Sequence, residues 1–88
     1  MIYGNSFKKG ALDDIEFWKR SGNKKLKKRI SELLQTISKN PESGIGKPEK
    51  QKGELSGFWS RRINKEHRII YKAEEKQMVI YALKGHYE

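Results

Sequence analysis

Two arginines stand where a pair of strands would approach their shared turn. Phe58-Trp59-Ser60-Arg61-Arg62-Ile63 and His67-Arg68-Ile69-Ile70-Tyr71-Lys72 are rich in β-branched and aromatic residues, and the short polar joint Asn64-Lys65-Glu66 between them suits a hairpin. Successive side chains on a strand point to opposite faces, so Arg62 shares a face with Phe58 and Ser60 while Arg61 goes with Trp59 and Ile63. One of these two must face away from the core, and Arg68 offers a second guanidinium from the neighbouring strand. Side by side the two charges repel, and an anion bound between them relieves that cost. A phosphodiester is the obvious candidate; the alternative is a pair of solvated edge charges.

The overall charge points the same way. Twenty Lys and Arg against 11 Asp and Glu leave a formal +9 on 88 residues. That is the electrostatic footprint of a nucleic-acid binder, although charge alone does not separate RNA from DNA or from an acidic protein. Binding to a membrane surface would want a basic amphipathic helix with bulky apolar residues on its other face. The absence of cysteine removes disulfides, iron–sulfur clusters, thiolate zinc sites and cysteine nucleophiles, and two histidines argue against a transition-metal site. No cofactor is expected. No run approaches the roughly 18 apolar residues of a bilayer span, and the N-terminus lacks the pattern of a secretory signal. We therefore expect a cytoplasmic protein with no membrane association, folded as a single domain over residues 1–88.

The elements that must position the arginines are legible from periodicity. Residues 1–6 form a short strand candidate. Lys8 to Gly22 follows as a helix, with Ala11, Ile15 and Trp18 at helical spacing, Trp18 belonging to its core stripe. From Lys24 to Lys39 the signal is stronger, because Leu26, Ile30, Leu33, Leu34 and Ile37 make one continuous apolar stripe. Asn23 is a good cap for this helix, and Asn40-Pro41 stops it through the restriction that proline places on its predecessor. Its outer face carries Lys24, Lys25, Lys27, Lys28 and Arg29, either a solvated face or a contact with RNA phosphates. Residues 42–53 lose all periodicity and hold Gly44, Gly46, Pro48 and Gly53, which predicts a loop rather than an element. Strands are expected over 55–63, 67–72 and 77–83. The predicted architecture is α+β, with two N-terminal helices on one face of a small, mainly antiparallel sheet and the other face open.

A resemblance adds to this. Gly46-Lys47-Pro48-Glu49, Leu55-Ser56-Gly57-Phe58-Trp59-Ser60-Arg61-Arg62-Ile63, Glu66-His67-Arg68 and the closing His86-Tyr87 together resemble the YoeB (Txe) family of RelE-like toxins. Leu12-Asp13-Asp14 before Phe17-Trp18, and Lys27-Lys28-Arg29-Ile30-Ser31-Glu32-Leu33-Leu34, look like that family's first and second helices. The resemblance implies a microbial-ribonuclease-like fold, a toxin of a type II toxin–antitoxin system, and ribosome-dependent, metal-independent cleavage of messenger RNA at the aminoacyl site that inhibits translation. It implies a YefM-like antitoxin whose acidic C-terminal segment blocks the active face, and it allows a homodimer. By motif position Glu49 matches the catalytic carboxylate, Arg68 the phosphate-stabilising arginine, and His86 and Tyr87 the C-terminal catalytic pair. Lys52 and Arg62 match flanking basic positions and, with Lys47, are expected to contact RNA. The sequence departs from the family at Gln51, where an apolar residue is usual, at Lys84-Gly85, and at Glu88, which adds negative charge beside the active end.

The chemistry of these residues agrees with that implication. Cleaving RNA without a metal needs a base for the 2′-hydroxyl, an acid for the leaving 5′-oxygen, and positive charge for the phosphorane. Glu49, with Lys47, Lys50 and Lys52 around it in the chain, suits the base because nearby cations favour its ionised form. An imidazolium at His86 suits the acid, and Arg68 with Arg62 would stabilise charge. Tyr87 could donate to phosphate or stack a base. Taken singly, Glu49 reads as a solvated loop carboxylate and His86 as a frayed end; the combination points to an enzyme. His67 reads as part of the hairpin, and Trp59 is evenly divided between core and contact surface. A non-catalytic RNA- or ribosome-binding module is the alternative function.

Overall fold

A computed structural model describes residues 4–85. The chain runs β1 (Gly4–Phe7), α1 (Lys9–Ser21), α2 (Lys24–Lys39), β2 (Glu49–Lys50), a single 3₁₀ turn (Gly53–Leu55), β3 (Trp59–Arg62), β4 (Arg68–Glu74) and β5 (Gln77–Ala82). The five strands lie in the order β1-β5-β4-β3-β2. β1 pairs with β5 in parallel, and the other three pairings are antiparallel. This is the α+β arrangement expected, with both helices against one sheet face. The first three residues of the N-terminal strand expectation, and the His86-Tyr87 pair, lie outside the described residues.

The helices form where periodicity places them. α1 buries Ala11 and Trp18 and ends at Gly22, whose φ of 73° is the left-handed cap that glycine adopts without strain. α2 buries Leu26, Ile30, Leu33 and Ile37, while Leu34 is partly buried against the same core. Asn23 caps α2 as expected, its side-chain oxygen accepting from the Leu26 amide at 3.0 Å. The stripe of α2 meets Ile69 and Tyr71 of β4 and Met78 and Ile80 of β5 in one cluster, closed by Ile63 and Leu83. Of the basic run, Lys24, Lys25 and Lys28 are exposed, whereas Lys27 and Arg29 are half-buried.

Three expectations need correction. The loop over 42–53 is not free of structure: Glu49 pairs with Ser60 and Lys50 with Trp59, so β2 adds an edge to the sheet. Two residues carry no period, and the strand exists because β3 offers it an unpaired edge, as the bonds from Arg62 N to Gly46 O and from Gln51 N to Phe58 O indicate. The strand expected from residue 55 starts only at Trp59, since the 3₁₀ turn and the positive φ of Gly57 consume the residues before it. The face away from the helices is also less open than expected. Ser60, Ile70, Val79 and Ala82 are buried outside the main cluster, and Phe58 meets Tyr81 edge-on at 4.8 Å beside them on the chain. Register slips between Ile70 and Tyr71 produce a bulge in β4·β5.

Arg61 settles which of the adjacent arginines turns inward. It has no exposed surface, and its guanidinium donates to the carbonyls of Asn40, Ser43 and Ile45 and to the Tyr71 hydroxyl. Tyr71 in turn donates to Pro41 O at 2.6 Å. Burial holds the Tyr71 phenol above its usual range against the opposing pull of Arg61, so it stays neutral and keeps the proton it donates. The start of the loop is thus fastened onto the sheet. Gly46 (φ 87°) continues this close approach, because a side chain there would meet Leu33 Cδ2 at 2.6 Å.

Candidate functional site

The outward face of β2, β3 and β4 collects the polar groups. Alternation puts Glu49, Ser60, Arg62 and Arg68 on one face, and the register sets Glu49 opposite Ser60 and Arg62 opposite Arg68. Glu49 Oε2 lies 3.4 Å from Arg68 Nη1. The carboxylate side chain is 64% exposed and the arginine 12%, so a fixed cation meets an accessible anion. Arg62 is exposed beside them. The arginine pair expected from the sequence is therefore present, with a carboxylate of the chain itself against one member.

Ser60 supports this contact from beneath. Its buried hydroxyl oxygen accepts from Arg68 Nη1 at 3.4 Å and from Gln51 Nε2 at 2.7 Å. The Gln51 side chain also reaches the Glu49 carbonyl at 3.3 Å. Gln51 thus ties the residue beneath Arg68 to the backbone of Glu49. Ser60 carried one signal in the sequence, its place on the Arg62 face; Gln51 carried none beyond its being unusual.

The lysines are arranged differently from expectation. Lys50 lies on the opposite face from Glu49, with its Nζ 5.9 Å from the centre of the Trp59 ring. Lys47 (φ 51°) and Lys52 are exposed. Among the described residues Arg68 is the one cation within ion-pair distance of Glu49. Adjacency in the chain overstated the lysines' nearness because β2 is extended and sends neighbours to opposite sides.

The strand that carries Arg68 also holds the chain that leads to the C-terminus. His67 Nδ1 accepts from the Gly85 amide at 2.9 Å, and the Arg68 amide donates to Gly85 O at 3.0 Å. His67 was read as part of the hairpin. It does touch it, since its amide donates to Asn64 Oδ1, but its ring faces Trp18 and Gly85. Trp59 packs partly against the core. Among the described residues no group of three His, Asp or Glu side chains could hold a metal ion, and no helix is long and apolar enough to cross a membrane.

Known proteins share this architecture and sequence. A YoeB toxin of Synechocystis sp. is 46% identical over 71 residues, 81% of this chain and 83% of that protein. The structure of a YoeB dimer from Staphylococcus aureus superposes with a TM-score of 0.86 at 40% identity, covering 99% of this chain and 100% of the other. A YoeB–YefM complex from the same organism gives 0.85 at 41%, again covering 99% and 100%. Together with the match of residues 7–87 to the family model, these similarities mean that the chain belongs to the YoeB-like toxins of bacterial type II toxin–antitoxin systems.

Proposed function

We propose that this toxin is a ribosome-dependent endoribonuclease that cuts messenger RNA at the aminoacyl site, without a metal or other cofactor, and so inhibits translation. The observation that carries the reading is the accessible Glu49 carboxylate held 3.4 Å from Arg68 on the sheet face turned away from the helices. A site that merely gripped phosphate would gain nothing from a carboxylate beside its main cation; a site that moves a proton off a ribose hydroxyl needs one. In this mechanism Glu49 takes the 2′-hydroxyl proton, the 2′-oxygen attacks phosphorus, and the 5′-oxygen leaves with a proton from His86. Arg68 meets the charge that builds on the phosphorane. Arg62, Lys47 and Lys52 hold flanking phosphates, and Tyr87 donates to phosphate or stacks a base. The ribosome supplies orientation of the message, which is a large contribution where the site itself is shallow.

The partners follow from the same face. A net charge of +9 favours an acidic segment, and a disordered acidic tail of a YefM-like antitoxin would cover Arg62, Arg68 and His86 as it orders. The relative from Staphylococcus aureus is known as a complex with YefM and as a dimer, which supports both an antitoxin and a homodimer here. We place the protein in the cytoplasm, where its ribosomal target is.

Incubation with translating ribosomes, followed by mapping of message ends, tests the proposal. Cleavage should persist in EDTA, leave a 2′,3′-cyclic phosphate or 3′-phosphate with a free 5′-hydroxyl, and stop when the ribose at the cut is 2′-deoxy. Binding to ribosomes without cleavage would leave a non-catalytic module, and 5′-phosphate products requiring magnesium would end the mechanism. Replacing Gln51 with Leu removes a hydrogen bond one step from Arg68. It should slow cleavage only about three- to tenfold, the equivalent of one hydrogen bond, as single-turnover rates would report.

A further inference from the structure

The sheet face turned away from the helices carries a second group of side chains, which the cleavage mechanism does not use. Phe58, on the face of Ser60, meets Tyr81 of β5 edge-on, with ring centres 4.8 Å apart and planes at 79°. Tyr81 reaches this face through the irregularity in β4·β5. Ile70 pairs with Ala82 and Tyr71 with Ile80, which leaves Tyr81 as the extra residue of β5, and a bulge of this kind re-aims a side chain. Both rings are half-buried. Lys72 Nζ lies 5.5 Å from the centre of the Phe58 ring, and Lys8 Nζ lies 5.9 Å from that of Tyr81.

Rings that served only as cover for Ile70 and Val79 would need no cation beside each of them. Among the described residues neither ammonium has a carboxylate within ion-pair distance. Each stands near the limit of cation–π attraction, roughly 6 Å, and is weakly held there. The corner thus offers two aromatic surfaces at nearly a right angle and two cations with no anion of the chain to meet. An acidic peptide would use the cations and leave the rings idle. A nucleotide uses both, since its base stacks on a ring and its phosphates meet the ammoniums. The place fits as well. Ile69 and Tyr71 point into the core, so Arg68, Ile70 and Lys72 share the opposite face, with Lys72 about 13 Å along β4 from Arg68. Glu74, exposed beyond Lys72, ends the basic patch on the side away from Arg68.

We propose that the corner made by Phe58 and Tyr81 is a stacking site for one nucleobase of single-stranded RNA, with Lys8 and Lys72 taking the phosphates beside that base. The proposal rests on the reading of this face as one that takes up RNA. It adds a place where the strand lies apart from Glu49 and Arg68. Ring faces read no base edge, so the site accepts every base, and purines more tightly through their larger stacking surface.

Three probes presented to the intact protein in EDTA separate stacking from charge. They are a 2′-O-methyl RNA hexamer, which has no 2′-hydroxyl to attack, an abasic strand of the same backbone and charge, and hexaglutamate. In carbon–proton spectra the Phe58 and Tyr81 ring resonances should move upfield with the RNA and stay in place with the other two. Phe58→Leu and Tyr81→Leu should each weaken RNA binding about five- to hundredfold and leave affinity for the abasic strand unchanged. Lys8→Ala and Lys72→Ala should each lower the slope of log affinity against log salt by about 0.7. Should a leucine variant fail to fold, the ring shifts of the wild type decide alone. Rings unmoved while RNA binds, equal shifts from the abasic strand or the peptide, or no binding of the RNA would overturn the proposal. Cleavage on translating ribosomes is read separately. A protein that cuts messages while its rings ignore RNA loses this site and keeps the mechanism; one that stacks RNA and never cuts keeps the site and loses the mechanism.

Discussion

Arg68→Ala should reduce single-turnover cleavage on translating ribosomes by about two to four orders of magnitude, the range seen when a fixed charge facing a transition state is lost. The guanidinium is largely buried and is oriented by Ser60 and Glu49, so it needs no rearrangement when charge appears on phosphorus. Alanine leaves that charge to solvent. Arg68→Lys should recover only part of the rate, because an ammonium lacks the planar fork that reaches two acceptors at once. Glu49→Gln should cost about 10²–10⁴ for a different reason, the loss of a proton acceptor. Arg62→Ala, on an exposed side chain, should be milder. Thermal melts should change little in Glu49→Gln, since the carboxylate of this pair is largely solvated and the amide keeps an acceptor for Arg68. An Arg68→Ala protein that cuts at the wild-type rate would remove the charge-stabilising role.

Stability should respond most to a different arginine. Arg61→Ala is expected to cost about 3–5 kcal/mol, because it removes the buried guanidinium that three carbonyls and a phenol share and leaves a cavity behind. The Asn40, Ser43 and Ile45 carbonyls converge on this one guanidinium, and only Asn40 O has a further donor described, the Ser43 amide at 3.4 Å. The charge is solvated by backbone dipoles rather than by a carboxylate. Arg61→Lys should recover little, since one ammonium cannot reach carbonyls arrayed around a planar group. Urea unfolding at equilibrium measures the cost. A loss below about 1 kcal/mol would mean that the loop finds water or other donors, and that Arg61 is incidental to its anchoring.

What the sequence made legible was what repeats. The α2 stripe, the Asn23 cap and the three main strands each carry a period or a cap that local chemistry enforces, and the structure has them. β2 lacked such a signal, because two residues pair only when β3 supplies an edge. The alternation rule narrowed the inward arginine to Arg61 or Arg62 but could not choose, since the answer depended on carbonyls from the loop after α2. Glu49 and Arg68 were named from motif positions, and their contact came from register across three strands. His67 belongs to the hairpin as expected, its carbonyl accepting from the Ile63 and Asn64 amides; its further contact with Gly85 was not legible, because Gly85 follows β5 and no spacing in the sequence joins them.

The parallel pairing of β1 with β5 has a consequence for synthesis. Of the described strands β1 is made first, yet its partner edge, Gln77–Ile80, belongs to the last of them. The two helices can form early from local contacts, and β3, β4 and β5 close through short turns, but β1 has no parallel neighbour until β5 has been made. Asp14 and Trp18 of α1 likewise wait for Leu83. A nascent chain therefore carries an unfinished sheet edge and two unmatched polar side chains until β5 and Leu83 have followed, and the sheet is completed only once β5 has cleared the machinery that made it.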